Sequence, residues 1–150
     1  MKLSTLVSLL VAFNICHAVT IEYEVELHCP IADRWCFEVS FYELDKTWDK
    51  YLAWHEPICS RFMKSGVVMN VTFTFGWAEI DGWFEPEIRI THNCSMHPDH
   101  THYMRKALPY VGTLPPNYGK DSVKLYINDY GDRYEYPFVP SYFHEYKRTY

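Results

Sequence analysis

Away from its N-terminus, no stretch of this 150-residue chain is apolar and uncharged for the roughly 18 residues that a membrane-crossing helix needs. A spanning protein is therefore not expected. Lysine and arginine are few and scattered, and the formal charge of −5 leaves no basic face for a phosphate backbone. Nucleic acid is excluded as a partner on that ground. The cysteines show no CxxC-type spacing, so zinc held by thiolates lacks its usual signature. No Ser-His-Asp order, nucleophile elbow or HExxH motif is present, and neither an enzyme nor a cofactor is expected. Sustained helical periodicity is missing too, which points away from helical bundles and towards an all-β chain.

What is present begins with Met1 to Ala18. Lys2 leads an apolar run from Leu3 to Ile15 that closes on Cys16-His17-Ala18, the arrangement of a secretory signal peptide with the mature chain starting near Val19. The apolar run is too short to span a membrane. A secreted, extracellular protein of one domain is expected, since about 130 residues remain and suffice for a real core.

Strict alternation marks the strands. Ile21, Tyr23, Val25, Leu27 and Cys29 share one face of the first, with carboxylates opposite. Trp35, Phe37, Val39 and Phe41 repeat the pattern after a turn at Pro30 to Asp33. A short third strand is expected over Tyr51 to Trp54, ending before Pro57. The fourth, Val67 to Phe75, turns Met69, Val71, Phe73 and Phe75 inward, and the fifth, Glu87 to Cys94, does the same with Ile88, Ile90, His92 and Cys94. Short strands follow near Tyr103 to Leu108 and Ser122 to Ile127, and Ala78 to Asp81 has room for one helical turn at most. About seven strands at this spacing, punctuated by proline and glycine, predict an antiparallel β-sandwich over residues 19–128. An aromatic C-terminal tail over 129–150 shows little alternation and is expected to pack loosely or be disordered.

Strand phase also sorts the cysteines. Cys16 leaves with the leader, and four cysteines in an oxidising compartment allow three pairings. Cys29 and Cys94 both point inward and can meet inside the sandwich, while Cys36 points outward and is left with Cys59. Two sequons occur, Asn70-Val71-Thr72 and Asn93-Cys94-Ser95. Both asparagines have the outward phase that a glycan requires, so a glycoprotein is expected.

Phe37-Glu38-Val39-Ser40-Phe41-Tyr42-Glu43-Leu44-Asp45 resembles the V-x-V-x-L-Y-E-x-D strand of the nematode transthyretin-like family. Glu85-Pro86-Glu87-Ile88-Arg89-Ile90-Thr91-His92-Asn93-Cys94 is similar to that family's E-P-x-(aliphatic)-x-I-x-H-x-C signature. With Cys29 closing the first strand and Leu108-Pro109-Tyr110-Val111 before the last, the likeness runs to about Asn128. The resemblance implies a secreted protein with a transthyretin-like (prealbumin-like) Greek-key sandwich and a bond between Cys29 and Cys94. The chain departs from the family pattern where Cys59 to Val67 replaces the T-D-x-x-G-x-F hairpin, in the extra Cys36/Cys59 pair, and in its tail. A purine-pathway hydrolase of the transthyretin class ends in Tyr-Arg-Gly-Ser, a motif that Tyr146 to Tyr150 lacks.

Two functional classes follow. The first is non-catalytic binding of a lipid, a small apolar ligand or a cell-surface or extracellular partner. It draws on an aromatic share of 18% and on Tyr126, Tyr130, Tyr134 and Tyr136, on or beyond the last strand. The same aromatics can equally serve cross-strand packing. The second is a metal site in the loop carrying His97, His100 and His102 with Asp99, which could hold zinc or copper if the loop folds back and is otherwise an exposed His-rich loop. His92, inward beside Cys94, is read as a buried neutral histidine that hydrogen-bonds backbone.

Overall fold

The computed structural model describes residues 18–31, 33–44, 48–74, 82–97, 100–112, 118–128 and 131–134. The expected signal peptide, except for Ala18, lies outside them, as do the possible helical turn at 78–81 and the tail from 135 onward. Every described element is a strand: β1 (Ala18–His28), β2 (Trp35–Glu43), β3 (Lys50–Ser60), β4 (Lys64–Thr74), β5 (Trp83–Phe84), β6 (Pro86–His92), β7 (Thr101–Ala107), β8 (Val111–Gly112), β9 (Tyr118–Tyr126) and β10 (Asp132–Tyr134). Two larger sheets run in the orders β4-β1-β9 and β10-β7-β6-β2-β3, with β5 and β8 forming a small ribbon.

The inward phase of each strand supplies the core. Tyr23, Val25 and Leu27 from β1, Trp35, Phe37, Val39 and Phe41 from β2, Met69, Val71 and Phe73 from β4, Ile88 and Ile90 from β6, and Val123 and Leu125 from β9 belong to one buried cluster. Residues of both larger sheets thus share a single apolar interior. Each fully buried Leu- or Phe-sized side chain contributes about 1.5–3 kcal/mol through transfer out of water. Aromatic rings tie the cluster together, Tyr23 stacking on Phe41 at 4.8 Å and Phe73 lying 5.1 Å from Phe84.

Three features depart from the sequence expectation. The third strand does not stop before Pro57 but continues to Ser60. It is the outermost strand of its sheet, and its register with β2 shifts between Phe37 and Val39, leaving Glu56 and Pro57 opposite Glu38. A bulge on an edge strand is where a residue without an N–H does least harm. Second, β1 and β9 run parallel, Thr20 facing Tyr118 and His28 facing Tyr126. The chain leaves β7 at the end of the molecule where β1 begins, so a strand entering beside β1 from there must run in its direction. Third, Asp132–Tyr134, within the expected tail, pairs antiparallel with Thr101–Tyr103.

The strand directions gather four connections at one end of the molecule: 29–34, 61–63, 93–100 and 127–131. The chain leaves β2 and β7 at the other end, where Tyr110 follows β7.

Candidate functional site

The four-connection end is held from several sides. Cys29 and Cys94 form a disulfide with Cα atoms 5.7 Å apart and no solvent exposure at either residue. Because Cys29 follows β1 and Cys94 follows β6, this bond fastens one larger sheet to the other. Next to it the backbone N–H of Cys29 donates to the Met63 carbonyl at 2.8 Å. The indole N–H of Trp35 donates to the Phe62 carbonyl at 2.8 Å, and Ile127 N–H donates to the His28 carbonyl at 3.1 Å. Four connections of different origin thereby become one frame.

On that frame stand apolar side chains in water. Phe62 is 78% exposed, Met96 75% and Met63 66%, and Ile31, on the connection that follows Cys29, is 37% exposed. Scattered single hydrophobic residues on a surface need no explanation, but these four all lie on connections gathered at one end. Arg34 and Arg61 are exposed on the same connections and Lys64 at the start of β4, with Asp33 as the acidic neighbour of Arg34. Arg34 and Arg61 line an open depression of about 560 Å³ together with Cys59, Ser60, Phe62 and Ser65.

Of the tyrosines named from the sequence, Tyr126 is 74% exposed at this end, its ring centroid 4.7 Å from that of His28. Tyr130 and Tyr136 lie outside the described residues, and Tyr134 is described only as a backbone member of β10. The sequence pattern did not single out Phe62 and Met63. Their signal was available: two large apolar residues in a turn, flanked by Arg61 and Lys64, with no strand period to carry them into a core.

Cys36 and Cys59 form the second disulfide, directly opposite each other across β2 and β3. Asn93 is half-buried there, its side-chain oxygen accepting the Cys36 N–H at 2.6 Å while its own N–H donates to the Cys36 carbonyl at 3.1 Å. Asn70 is exposed on β4, across from Glu22 of β1, and the Thr72 hydroxyl of its sequon shares a 3.0 Å hydrogen bond with Thr20.

The histidines of the candidate metal loop do not converge. The His97 and His100 rings lie 4.8 Å apart, but His102 is buried at the start of β7 and stacks on His92 with centroids 5.4 Å apart. Pro98 and Asp99 lie outside the described residues. Among the described residues no three His, Cys, Asp or Glu side chains group as a metal site. His92 Nδ1 accepts the Cys94 backbone N–H at 3.2 Å, which places the ring proton of a neutral His92 on Nε2.

Two other clusters of charged side chains are paired internally. On the outer face of the five-stranded sheet, buried Glu87 accepts Arg89 Nε at 2.6 Å and Arg105 Nε at 2.8 Å, and Arg89 also pairs with Asp49 and covers the Tyr42 ring at 3.7 Å. Burial alone would lower the Arg89 pKa, but its hydrogen bonds to Glu87 and Asp49 outweigh burial and raise it. The hydrogen bond to Glu87 likewise raises Arg105. Such a network fixes strands rather than offering a free charge. On the outer face of β1, Glu22 is held below the usual carboxylate range by hydrogen bonds from Lys120 and Tyr118, and Glu26 by one from His28.

Fold and site together define a β-rich, disulfide-bonded protein, with no helix among the described residues, that carries exposed apolar and basic side chains on the connections at one end. The chain belongs to the family described as Caenorhabditis elegans protein of unknown function (DUF870), whose model matches residues 24–133, from within β1 to within β10. No curated protein and no solved structure matches it.

Proposed function

We propose that this chain is a secreted, non-catalytic binding protein with a transthyretin-like Greek-key sandwich, and that it uses the disulfide-held loop end to engage a lipid, a small apolar ligand or a cell-surface partner. The single observation that carries this reading is the exposure of Ile31, Phe62, Met63 and Met96 on a frame anchored by Cys29–Cys94 and by buried Trp35. Burying such a patch against a partner gains hydrophobic free energy without first having to order the loops. Tyr126 extends the surface along the end of β9. Support for the sandwich comes from the one core shared by both larger sheets and from β6 returning by a long connection to lie beside β2. Two disulfides suit an oxidising compartment, and among the described residues no helix is long and apolar enough to cross a membrane.

The test expresses the full chain in eukaryotic cells and measures binding of the secreted protein to intact cells, to lipid vesicles and to a fluorescent long-chain fatty acid. Replacing Phe62 and Met63 together by Ser should lower binding about tenfold or more, as expected for anchors at the centre of a contact. Tyr110→Ser, at the opposite and equally exposed end, should leave it unchanged. The reverse pattern would sink the assignment of the surface. The metal alternative through His97, His100 and His102 has less support, because only the first two imidazoles are near one another. Elemental analysis of the dialysed protein tests it.

A further inference from the structure

The two disulfides differ in a way that bears on chemistry. Cys29 and Cys94 have no solvent exposure, whereas Cys59 is exposed and Cys36 is half-buried on the outer face of β2. Cys59 also sits on the outermost strand of its sheet, with no described strand beyond it. The depression that Cys59 lines is lined by Arg34 and Arg61 as well.

We propose that Cys36–Cys59 is a thiol–disulfide exchange site for an anionic thiol or dithiol, and that Cys29–Cys94 is the permanent cross-link. Exchange requires a thiolate to reach a sulfur in line, so access decides which bond can react, and Cys59 provides it. Two arginines lining the depression raise the local concentration of a negatively charged thiolate beside Cys59. The incoming thiolate bonds to Cys59 Sγ, the Sγ–Sγ bond breaks, and its electron pair leaves on Cys36 Sγ. A second thiolate, from the same dithiol or another molecule, then attacks the non-protein sulfur of this mixed disulfide and releases Cys59 as thiolate. Two thiols are oxidised to one disulfide, the protein disulfide is reduced by two electrons, and the two cysteines take up the protons that the reductant lost.

The bond has a mechanical role as well. Beyond the bulge, β3 is held to β2 by only three residue pairs, Phe37 with Ile58, Cys36 with Cys59 and Trp35 with Ser60. Past them lies the turn with Phe62 and Met63. Cys36 is held by Asn93, the residue that follows β6, so on opening it is the Cys59 side that gains freedom. Reduction therefore loosens the apolar surface, leaving it tied by the carbonyls of Phe62 and Met63 to Trp35 and Cys29. This consequence for binding rests on the function proposed above; the exchange chemistry does not.

The experiment incubates the fully oxidised, native chain with reduced glutathione or with neutral 2-mercaptoethanol, quenches with N-ethylmaleimide and maps the labelled peptides. Cys36 and Cys59 should be labelled at least about tenfold faster than Cys29 and Cys94. Equal rates, or earlier opening of Cys29–Cys94, overturn the proposal. In the exposed double variant Arg34→Glu, Arg61→Glu, the rate with glutathione should fall about threefold or more relative to that with 2-mercaptoethanol, since only the anionic thiol senses the lost charge. An unchanged ratio overturns the role given to the arginines. Hydrogen exchange over residues 58–64 should quicken on reduction, and its constancy would overturn the mechanical role. Failure of the binding reading would show separately, as unaltered binding in the Phe62 and Met63 variant with the exchange pattern intact.

Discussion

The indole N–H of Trp35, a residue with no solvent exposure, holds the carbonyl of Phe62, whose side chain is 78% exposed, at 2.8 Å. Core and surface meet in that bond: the ring that anchors the start of β2 also fixes the turn that presents the apolar tip. Rigid presentation lowers the entropy that binding would otherwise have to supply.

Trp35→Phe keeps most of the buried ring and removes only the donor and some volume. Stability should fall by about 1–3 kcal/mol, from the small void and from the lost indole bond, which leaves the Phe62 carbonyl only the 3.4 Å contact with the Ser60 hydroxyl. Amide exchange should rise at residues 61–63. A denaturation midpoint shift with unchanged exchange there would mean that the tip is held by other contacts.

Glu87 is nearly inaccessible and accepts from both Arg89 and Arg105. Glu87→Gln removes the charge that compensates a largely buried guanidinium, and should cost about 2–4 kcal/mol in urea unfolding. Added salt should restore little, because buried pairs are poorly screened. Full recovery in high salt would show the network to be a surface feature.

Hydrogen bonds from Lys120 and Tyr118 hold the Glu22 carboxyl, and one from His28 holds the Glu26 carboxyl, below the ordinary carboxylate pKa in the folded state. A depressed pKa contributes stability that is present above the unfolded value and lost as pH falls through the folded one. Unfolding midpoints should therefore decline as pH drops below about 4.5, and the double variant Glu22→Gln, Glu26→Gln should lose part of that decline. Both side chains are partly exposed, at 27% and 32%, so 1 M salt should shrink the difference between variant and parent. A decline that is identical in the variant would assign acid sensitivity elsewhere.

Asn70 and Asn93 should respond differently to replacement by Gln in protein secreted from eukaryotic cells. At Asn70, exposed on β4, the expected change is loss of one glycan mass with secretion unimpaired. Asn93 lends its side-chain oxygen to the Cys36 N–H, so the longer Gln should lower stability by about 1 kcal/mol whether or not a glycan is attached. An unglycosylated Asn70 would remove the secretory argument that the sequon lends.

Period-2 alternation in the amino-acid sequence was enough to assign the inward residues of the long strands. Tyr23, Val25 and Leu27, Phe37 and Val39, Val71 and Phe73, Ile88 and Ile90 are all buried as their phase requires. Cysteine phase follows the same rule, since a side chain's face is fixed by its parity along the strand. Tertiary structure alone decided what parity cannot encode. Glu38 and Glu87 have the outward phase yet are almost fully buried, because whether an outer face meets water depends on distant chain, not on the strand itself. Pro57 could stay within β3 only because that strand is an edge with a bulge, a property of its neighbours. His102 was grouped by sequence proximity with His97 and His100, but pairing of β6 with β7 set it against His92 instead. The exposed group of Ile31, Phe62, Met63 and Met96 comes from three connections far apart in the chain. Only strand direction and the Cys29–Cys94 bond bring those connections to one end, because a loop's position is set by the strands it joins and not by its own composition.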